Sequence, residues 1–324
     1  MTKKIVTFTM SLKQSQFEVD RLETEAKKLG IEVNRALYRE LSFDLGRTPS
    51  KGGQAGSART FVRGEELTAE NTMGLWFRVA GTKSGKYTEA RNLAIRILRN
   101  KGVVCVNEKG YLEWTRMGKI AQHGVFLENN IPIVPTNIFY TKDQILNGNM
   151  GGDIWGWPVI AKHEKGYQGK SVRKFDTWEE EKKFVEKINE KNLGMFLWQK
   201  YLPTKWDIRV VIVDGKAIGG MKRSAVGDEF RSNFSLGGAV EEWNLSEEEK
   251  NLAEKVAKIC GLDYCGVDIM KNPKSQNLNS KEYKEEDYDN YILEVNRQCQ
   301  FQGFEKATGI NVAKAVVEMI KSKQ

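Results

Sequence analysis

Residues 291–300 read YILEVNRQCQ. Tyr291, Ile292, Leu293 and Val295 suit a buried strand, yet Glu294 and Asn296 set a carboxylate and an amide into it two positions apart. Alternate side chains of a strand share a face, so Glu294 and Asn296 project together while Leu293 and Val295 project the other way. Residues 265–270, CGVDIM, repeat the design with Asp268 between Val267 and Ile269. If the two segments pair antiparallel, as the linking insert suggests, three oxygen donors meet on one patch. Oxygens of Asp268, Glu294 and Asn296, without His or Cys, suit a hard cation, and Mg2+ best when a phosphate chain completes the shell. A solvated sheet face explains the same residues, and spacing alone leaves the two readings evenly matched.

Around this pair the C-terminal third is easy to parse. Residues 207–223 (DIRVVIVDGKAIGGMKR) carry a hairpin signal with Asp214-Gly215 at the turn. Residues 246–261 (SEEEKNLAEKVAKICG) open on a capping box, Ser246 with Glu249, and stop at Gly261. Leu252, Ala253, Val256, Ala257 and Cys260 form the buried stripe of that helix. INVAKAVVEMIKS is a final helix, and the polar insert from Lys271 to Asn290 reads as an exposed hairpin or a partly disordered loop.

The central third opens on a helix around RMGKIAQHGVFLEN. Strand, glycine-containing turn and strand follow in WPVIAKHEKGYQGKSVRKF. DTWEEEKKFVEKINEKN is an amphipathic helix burying Phe184, Val185 and Ile188, and MFLWQKYL is a compact apolar strand. The N-terminal third begins with a βαβ unit: the strand KKIVTFTM, a helix with Leu22, Ala26 and Leu29 in register that ends at Gly30, and the strand-like IEVNRALYREL. Residues 46–59, rich in glycine and serine, read as a mobile loop; MGLWFRVAG, TEARNLAIRILRNKG and VVCVN are the next strand, helix and strand. The expected organisation is therefore α/β, with an N-terminal α/β domain over 1–112 and α+β units over 113–202 and 203–324.

Bulk composition narrows the function class. A chain of 324 residues, 40% of them hydrophobic, can bury a large core in two or three units. The N-terminal apolar run is too short for a signal-peptide core and no segment is apolar for the ~18 residues that a membrane span needs, so a soluble, cytoplasmic protein is expected. Two histidines and four cysteines with no CxxC pair argue against a zinc site and for reduced thiols. The net charge of +8 is spread along the chain; it suits an anionic partner, but without a basic helix or stacking aromatics it does not point to nucleic acid.

Cationic partners for an anionic ligand are present. Lys162 leaves a strand beside GYQGKS (166–171), whose Gly166 and Gly169 would let backbone N–H groups cradle a triphosphate. Lys119 lies on the preceding helix. WQKYLP offers backbone groups at Lys200 and Leu202 beside large apolar side chains, an adenine slot or simply a core strand. Asp207 could accept ribose hydroxyls and shares a face with Arg209; Arg231, Ser232 and Asn233 stand in a glycine-flanked loop.

The order of these motifs resembles that of ATP-grasp ligases, most closely the RimK-type branch, which joins amino acids such as glutamate to a protein or peptide carboxyl end. The resemblance runs over roughly residues 113–320; the first hundred residues share only the general character of the preceding α/β domain. It implies an ATP-grasp fold, two subdomains clasping ATP, and an ATP-dependent carboxylate–amine ligation through an acyl phosphate. It implies that Lys119 and Lys162 hold the phosphates under a loop with Gly169, Lys170 and Ser171. Gln199, Lys200, Tyr201 and Leu202 would line the adenine slot, and Asp207 would bind ribose. Arg209, Arg231 and Asn233 would surround the transferring phosphate and acyl group, with Ser232 beside the nucleotide. Asp268, Glu294 and Asn296 would bind two Mg2+ ions, with Mn2+ as an alternative.

Three features depart from the family pattern. Lys200 stands where glutamate is usual; Arg297-Gln298-Cys299-Gln300 replaces Ala-Ser-Pro-Gly; and the 271–290 insert is long. Cys299 has no histidine near it in sequence and reads as an ordinary thiol rather than a nucleophile. The implied partners are ATP, a carboxylate substrate and an amine substrate, with an acidic peptide or protein among the candidates. Oligomeric state, a homo-oligomer included, is left open. Rival readings are a phosphotransferase on the same fold and an ATP-binding regulatory module without chemistry.

Overall fold

A computed structural model of the chain describes residues 3–46, 58–78, 85–114, 117–147, 155–164, 166, 171–226, 239–273 and 288–324. The N-terminal part runs β1 (Lys4–Thr9), α1 (Gln16–Lys28), β2 (Glu32–Leu37), β3 (Leu41–Asp44), β4 (Arg59–Val62), β5 (Glu65–Glu66), β6 (Thr72–Phe77), α2 (Thr88–Arg99), β7 (Val104–Cys105) and α3 (Glu108–Glu113). The expected βαβ unit is present. Strands β2-β1-β6-β7 form a wholly parallel sheet, and β1 is buried at every position, as a strand covered on both faces must be. The strand expected in VVCVN shrinks to two residues, and a small antiparallel sheet β3-β4-β5 had no clear sequence signal. Most of the glycine-rich 46–59 stretch lies outside the described residues.

The central part runs α4 (Lys119–Glu128), β8 (Thr136–Asn137), α5 (Lys142–Leu146), β9 (Val159–His163), β10 (Val172–Phe175), α6 (Trp178–Lys187) and β11 (Phe196–Lys200). Its antiparallel sheet has the order β10-β9-β11-β8. One face, with Val159, Ala161 and Trp198, packs on α6 through Val185, while Phe184 and Ile188 are only half-buried there. The other face carries Lys162, Leu197 and Gln199, since Leu197 is opposite Lys162 and Gln199 is opposite Ile160.

The C-terminal part runs β12 (Trp206–Val213), β13 (Lys216–Ser224), β14 (Ala239–Trp243), α7 (Glu247–Ile259), β15 (Tyr264–Lys271), β16 (Asn290–Asn296), α8 (Gln302–Thr308) and α9 (Val312–Ser322). The Asp214-Gly215 turn has both residues at positive φ, 52° and 72°, the conformation a two-residue hairpin of this hand requires. The capping box forms: Glu249 N–H donates to Ser246 Oγ at 3.2 Å, and Ser246 N–H to Glu249 Oε2 at 2.9 Å. Of the 271–290 insert, residues 274–287 lie outside the described residues.

The five-stranded sheet β14-β13-β12-β15-β16 is antiparallel and positions the site. Ile208, Val210, Ile212, Val267 and Ile269 face α7 and α4 in one apolar layer. The opposite face changes character along its length. Val211, Val213 and Tyr264 join a core with α9, α1 and Ile5 and Trp76 of the first sheet, whereas Asp207, Arg209 and Asp268 continue the same face as a charged patch. Helix α9 buries Val312, Ala313, Val316, Val317 and Ile320 completely, each large side chain contributing about 1.5–3 kcal/mol, and so ties the chain end to the N-terminal sheet. Among the described residues no helix is long and apolar enough to cross a membrane.

Candidate active site

Two β-bulges decide which side chains meet. From Ile269↔Ile292 a regular antiparallel ladder would continue to Asp268↔Leu293, turning Glu294 to the far face. Instead the register shifts at that point, Leu293 is the extra residue, and Asp268 stands directly opposite Glu294 with Gly266 opposite Asn296. The three oxygen-bearing side chains converge: Asn296 Nδ2 lies 3.0 Å from Glu294 Oε1 and 3.3 Å from Asp268 Oδ2. Gly266 leaves the room. A Cβ there would come within 2.9 Å of Cys299 Cβ and 3.4 Å of Arg209 Cδ.

A second bulge, at Ile218, acts on the hairpin. Val213↔Lys216 projected onward would pair Asp207 with Lys222, but the shift puts Arg223 opposite Asp207. Arg223, 3% exposed, donates from Nε to Asp207 Oδ1 at 2.6 Å and places Nη2 3.1 Å from Asp268 Oδ2. Arg209 grips Asp268 bidentately, Nε to Oδ1 and Nη2 to Oδ2 at 2.7 Å each. Sequence reasoning missed Arg223. A regular hairpin register turns it away from the site, so no signal short of the bulge itself reveals it.

The lysines approach from the central part. Lys119, at the first position of α4, lies 3.2 Å from Glu294 Oε2 and donates to the Gly166 carbonyl at 2.8 Å. Burial disfavours the Glu294 carboxylate, but the charge of Lys119, the Asn296 hydrogen bond and Arg209 outweigh it and hold its pKa well below the usual carboxylate range. Burial lowers the Lys162 pKa to about 8, with Glu294 opposing and Lys119 reinforcing the drop. Arg209 stays cationic: burial works against its charge and Asp268 restores it. Among the described residues the patch thus gathers Arg209, Arg223, Lys119 and Lys162 against Asp207, Asp268 and Glu294, an excess of positive charge suited to a polyphosphate.

The donor set fits Mg2+. Among the described residues no group of three His, Cys, Asp or Glu side chains gathers, so a cage built from such side chains alone is absent there. Two carboxylates and the Asn296 amide, which here turns its nitrogen to both carboxylates and would present its oxygen to a cation after a flip of the amide, supply hard donors of the kind that Mg2+ completes with phosphate and water.

The expected adenine segment lies at the edge of this patch. Gln199 is buried, Lys200 N–H donates to Pro135 O at 3.0 Å, and the Leu202 carbonyl accepts from Thr204 N–H at 2.7 Å. Leu202 packs on Val134 and Tyr291, and Lys174 sits over the Tyr201 ring, 5.0 Å from its centroid. Ser171 backs the hairpin, its carbonyl accepting from His163 N–H at 3.0 Å. Gly169, Lys170, Arg231, Ser232 and Asn233 lie outside the described residues, as does most of the two loops that contain them. Asp207 is engaged by Arg223 rather than open to solvent. Cys299 is buried beside Arg209, its Sγ 3.1 Å from Tyr264 Oη, and burial raises its thiol pKa, which suits packing and not nucleophilic attack. The loop that carries it is fastened to the N-terminal part: Arg78 Nη2 donates to the Cys299 carbonyl at 3.0 Å, and Asn107 Nδ2 to the Arg297 carbonyl at 3.0 Å.

A sequence model of the RimK-like ATP-grasp domain matches residues 117–320. "Probable alpha-L-glutamate ligase" of Marinomonas sp. strain MWYL1 is 30% identical over 232 residues, 70% of each chain. A protein of the same name from Saccharophagus degradans is 31% identical over 235 residues, again 70% of each. In fold, the chain is similar to the ATP-grasp ligase PsnB complexed with minimal precursor, with a TM-score of 0.70, 18% identity and 100% coverage of both chains. It is also similar to the macrocyclase MdnC bound with precursor peptide MdnA from Microcystis aeruginosa, with a TM-score of 0.68, 14% identity, and 98% and 99% coverage. By sequence and by architecture, therefore, the chain belongs to the RimK-like ATP-grasp family and is an ATP-dependent ligase of the carboxylate–amine class.

Proposed function

We propose that the chain adds an amino acid, through an acyl-phosphate intermediate, to a peptide, protein or small acidic substrate. The observation that carries this reading is the register pairing of Asp268 with Glu294, with Arg209 bidentate on Asp268 and Lys119 on Glu294. A substrate carboxylate oxygen attacks the γ-phosphorus and the bond to ADP breaks. The amine nitrogen then attacks the acyl carbon, phosphate leaves, and the nitrogen gives up a proton to form the amide. Lys119 and Lys162 bind the phosphates, and Arg209 stabilises charge that grows on the transferring group. Removing one such preorganised group costs on the order of 10²–10³ in rate.

Asp268, Glu294 and Asn296 would hold Mg2+, two ions on the family pattern, which when bound neutralises phosphate charge. Arg223 keeps Asp207 and Asp268 in place for this, and Arg231 and Asn233, which lie outside the described residues, would on the family pattern serve the acyl group. The base sits along Gln199–Leu202 and its ribose near Asp207. Relatives named glutamate ligases, and fold neighbours solved with precursor peptides, support a peptide-like carboxylate or glutamate as substrate.

The test is to incubate the chain with Mg-ATP and pools of carboxylates and amines, following ADP and product mass. ADP release that requires both partners, with an amide product, is expected. Release with a single acceptor and a product about 80 Da heavier would instead identify a phosphotransferase.

A further inference from the structure

Strand β16 ends the five-stranded sheet, so its outer side has no further strand of that sheet beside it. Two other segments fasten this edge. Before the bulge at Leu293, Ile292 N–H donates to the Pro132 carbonyl at 2.8 Å, next to the Ile133↔Ile292 bridge. Past the bulge the partner is a side chain. Gln122, on α4 and 5% exposed, accepts from Val295 N–H with Oε1 at 2.8 Å and donates from Nε2 to the Val295 carbonyl at 3.1 Å. One amide thus makes both hydrogen bonds that a paired residue of a neighbouring strand would make. Its Nε2 also donates to the Met117 carbonyl at 3.2 Å, so both N–H groups and the oxygen are engaged and the amide has one orientation.

Val295 stands between Glu294 and Asn296. A slip of one residue there would turn both away from Asp268, and a bulge is where the ladder itself constrains register least. Gln122 grips the first residue beyond Glu294. The same helix carries Lys119, three positions earlier and on the same helix face, with Nζ 3.2 Å from Glu294 Oε2. The start of α4 is held in turn to the strand of Lys162. Glu164, just past β9, accepts from Ile120 N–H with Oε2 at 2.8 Å, and a Cβ at Gly118 would collide with its Oε1. Helix α4 therefore ties the strand of Lys162 to the strand of Glu294 and Asn296.

We propose that Gln122 is a positioning residue whose amide fixes the register of β16 at Glu294 and Asn296 and sets their distance from Lys119 and Lys162, so that cation and phosphates are gripped as one unit. This rests on the reading of Glu294 and Asn296 as metal ligands and of the two lysines as phosphate ligands. Gln122 touches neither metal nor phosphate, because its amide is engaged by Val295 and Met117. Its loss is felt where the cation joins the nucleotide to the protein, and not in the other contacts of the nucleotide.

The test measures ATP binding to the full chain by calorimetry, once with Mg2+ and once in EDTA, and takes the ratio of the two affinities. Gln122→Met keeps the length of the side chain and removes its three hydrogen bonds. The ratio should fall about tenfold or more, the usual cost of losing a group that orients a metal ligand, while the affinity in EDTA stays within about twofold. Val125→Ala truncates a buried side chain of the same helix and leaves Gln122 in place; it should lower Tm and keep the ratio within about twofold. Gln122→Glu keeps an acceptor for Val295 N–H and forfeits the donors when ionised, so the ratio should fall about threefold or more, and this variant decides the matter where Gln122→Met does not fold. An unchanged ratio in the Gln122 variants, or an equal fall in Val125→Ala, overturns the proposal.

Hydrogen exchange reads the clip without any ligand. In Gln122→Met the Val295 amide should exchange about tenfold faster relative to that of Val210 in the middle strand, and unchanged relative protection overturns the proposal. A wild type that binds ATP equally with Mg2+ and in EDTA removes the metal site itself, and this proposal with it; a Mg2+ effect that survives loss of the Gln122 amide removes the proposal alone.

Discussion

Replacing Arg223 with Met should destabilise the chain far more than a single hydrogen bond would. Arg223 is 3% exposed and Asp207 4%, and the pair closes at 2.6 Å with a second contact to Asp268 at 3.1 Å. At an effective dielectric of 20, opposite charges about 4 Å apart attract by about 4 kcal/mol. Truncating one partner of a buried pair costs about 3–5 kcal/mol, since the other charge stays in the interior. Asp268 keeps its bidentate bond to Arg209, so most of the loss falls on Asp207. Arg223→Met is therefore expected to lower stability by about 3–5 kcal/mol, and the double variant Asp207→Leu with Arg223→Met to recover about 2 kcal/mol or more of it. Urea unfolding followed by tryptophan fluorescence reads both, because Trp206 and Trp243 lie on the same sheet with ring centroids 5.3 Å apart and planes tilted by 38°. A cost below about 1 kcal/mol for Arg223→Met, or a double variant as unstable as the sum of the singles, would refute the buried-pair account.

Glu294→Ala should keep a cooperative melt yet lose the stabilisation that Mg-ATP confers, about 2.7 kcal/mol at a hundredfold excess over Kd; a full nucleotide-induced shift in Tm counts against the metal assignment. Lys162, at about 8 when free, should take up a proton as the phosphates arrive, so nucleotide affinity falls as pH rises above about 8, and Lys162→Met should flatten that slope in calorimetry. The sign for stability is opposite. Between about 8 and the ordinary 10.5 the unfolded chain holds more protons at this lysine, so its contribution to stability rises with pH across that window. Deleting Leu293, the bulge residue, should leave Glu294 facing Asp268 and preserve the Mg-ATP response at a packing cost of about 1–3 kcal/mol, whereas deleting Val295 turns Asn296 to the wrong face and abolishes it; equal loss in both would refute the register argument.

Much of the architecture could be read from local pattern because local chemistry controls it. The Asp214-Gly215 turn, the Ser246–Glu249 capping box, the βαβ opening and the final amphipathic helix each depend on residues within a few positions of one another. Helix α9 was legible as a helix but not as a layer against the first sheet, since the apolar stripe that buries Val316 and Ile320 says nothing about its partner. The anchoring of the 297–300 loop by Arg78 and Asn107 was equally silent, because both come from about 200 residues upstream in the chain.

By itself the sequence determined the inventory: three oxygen donors on two strands, a lysine on a helix and another beside a glycine turn, and motifs in an order shared with one family. Tertiary structure alone decided which of them face one another. A strand has a period of two, so alternation tells which residues of one strand share a side but not how that side relates to the next strand. One unpaired residue at Leu293 and another at Ile218 reverse that relation, bringing Glu294 to Asp268 and Arg223 to Asp207.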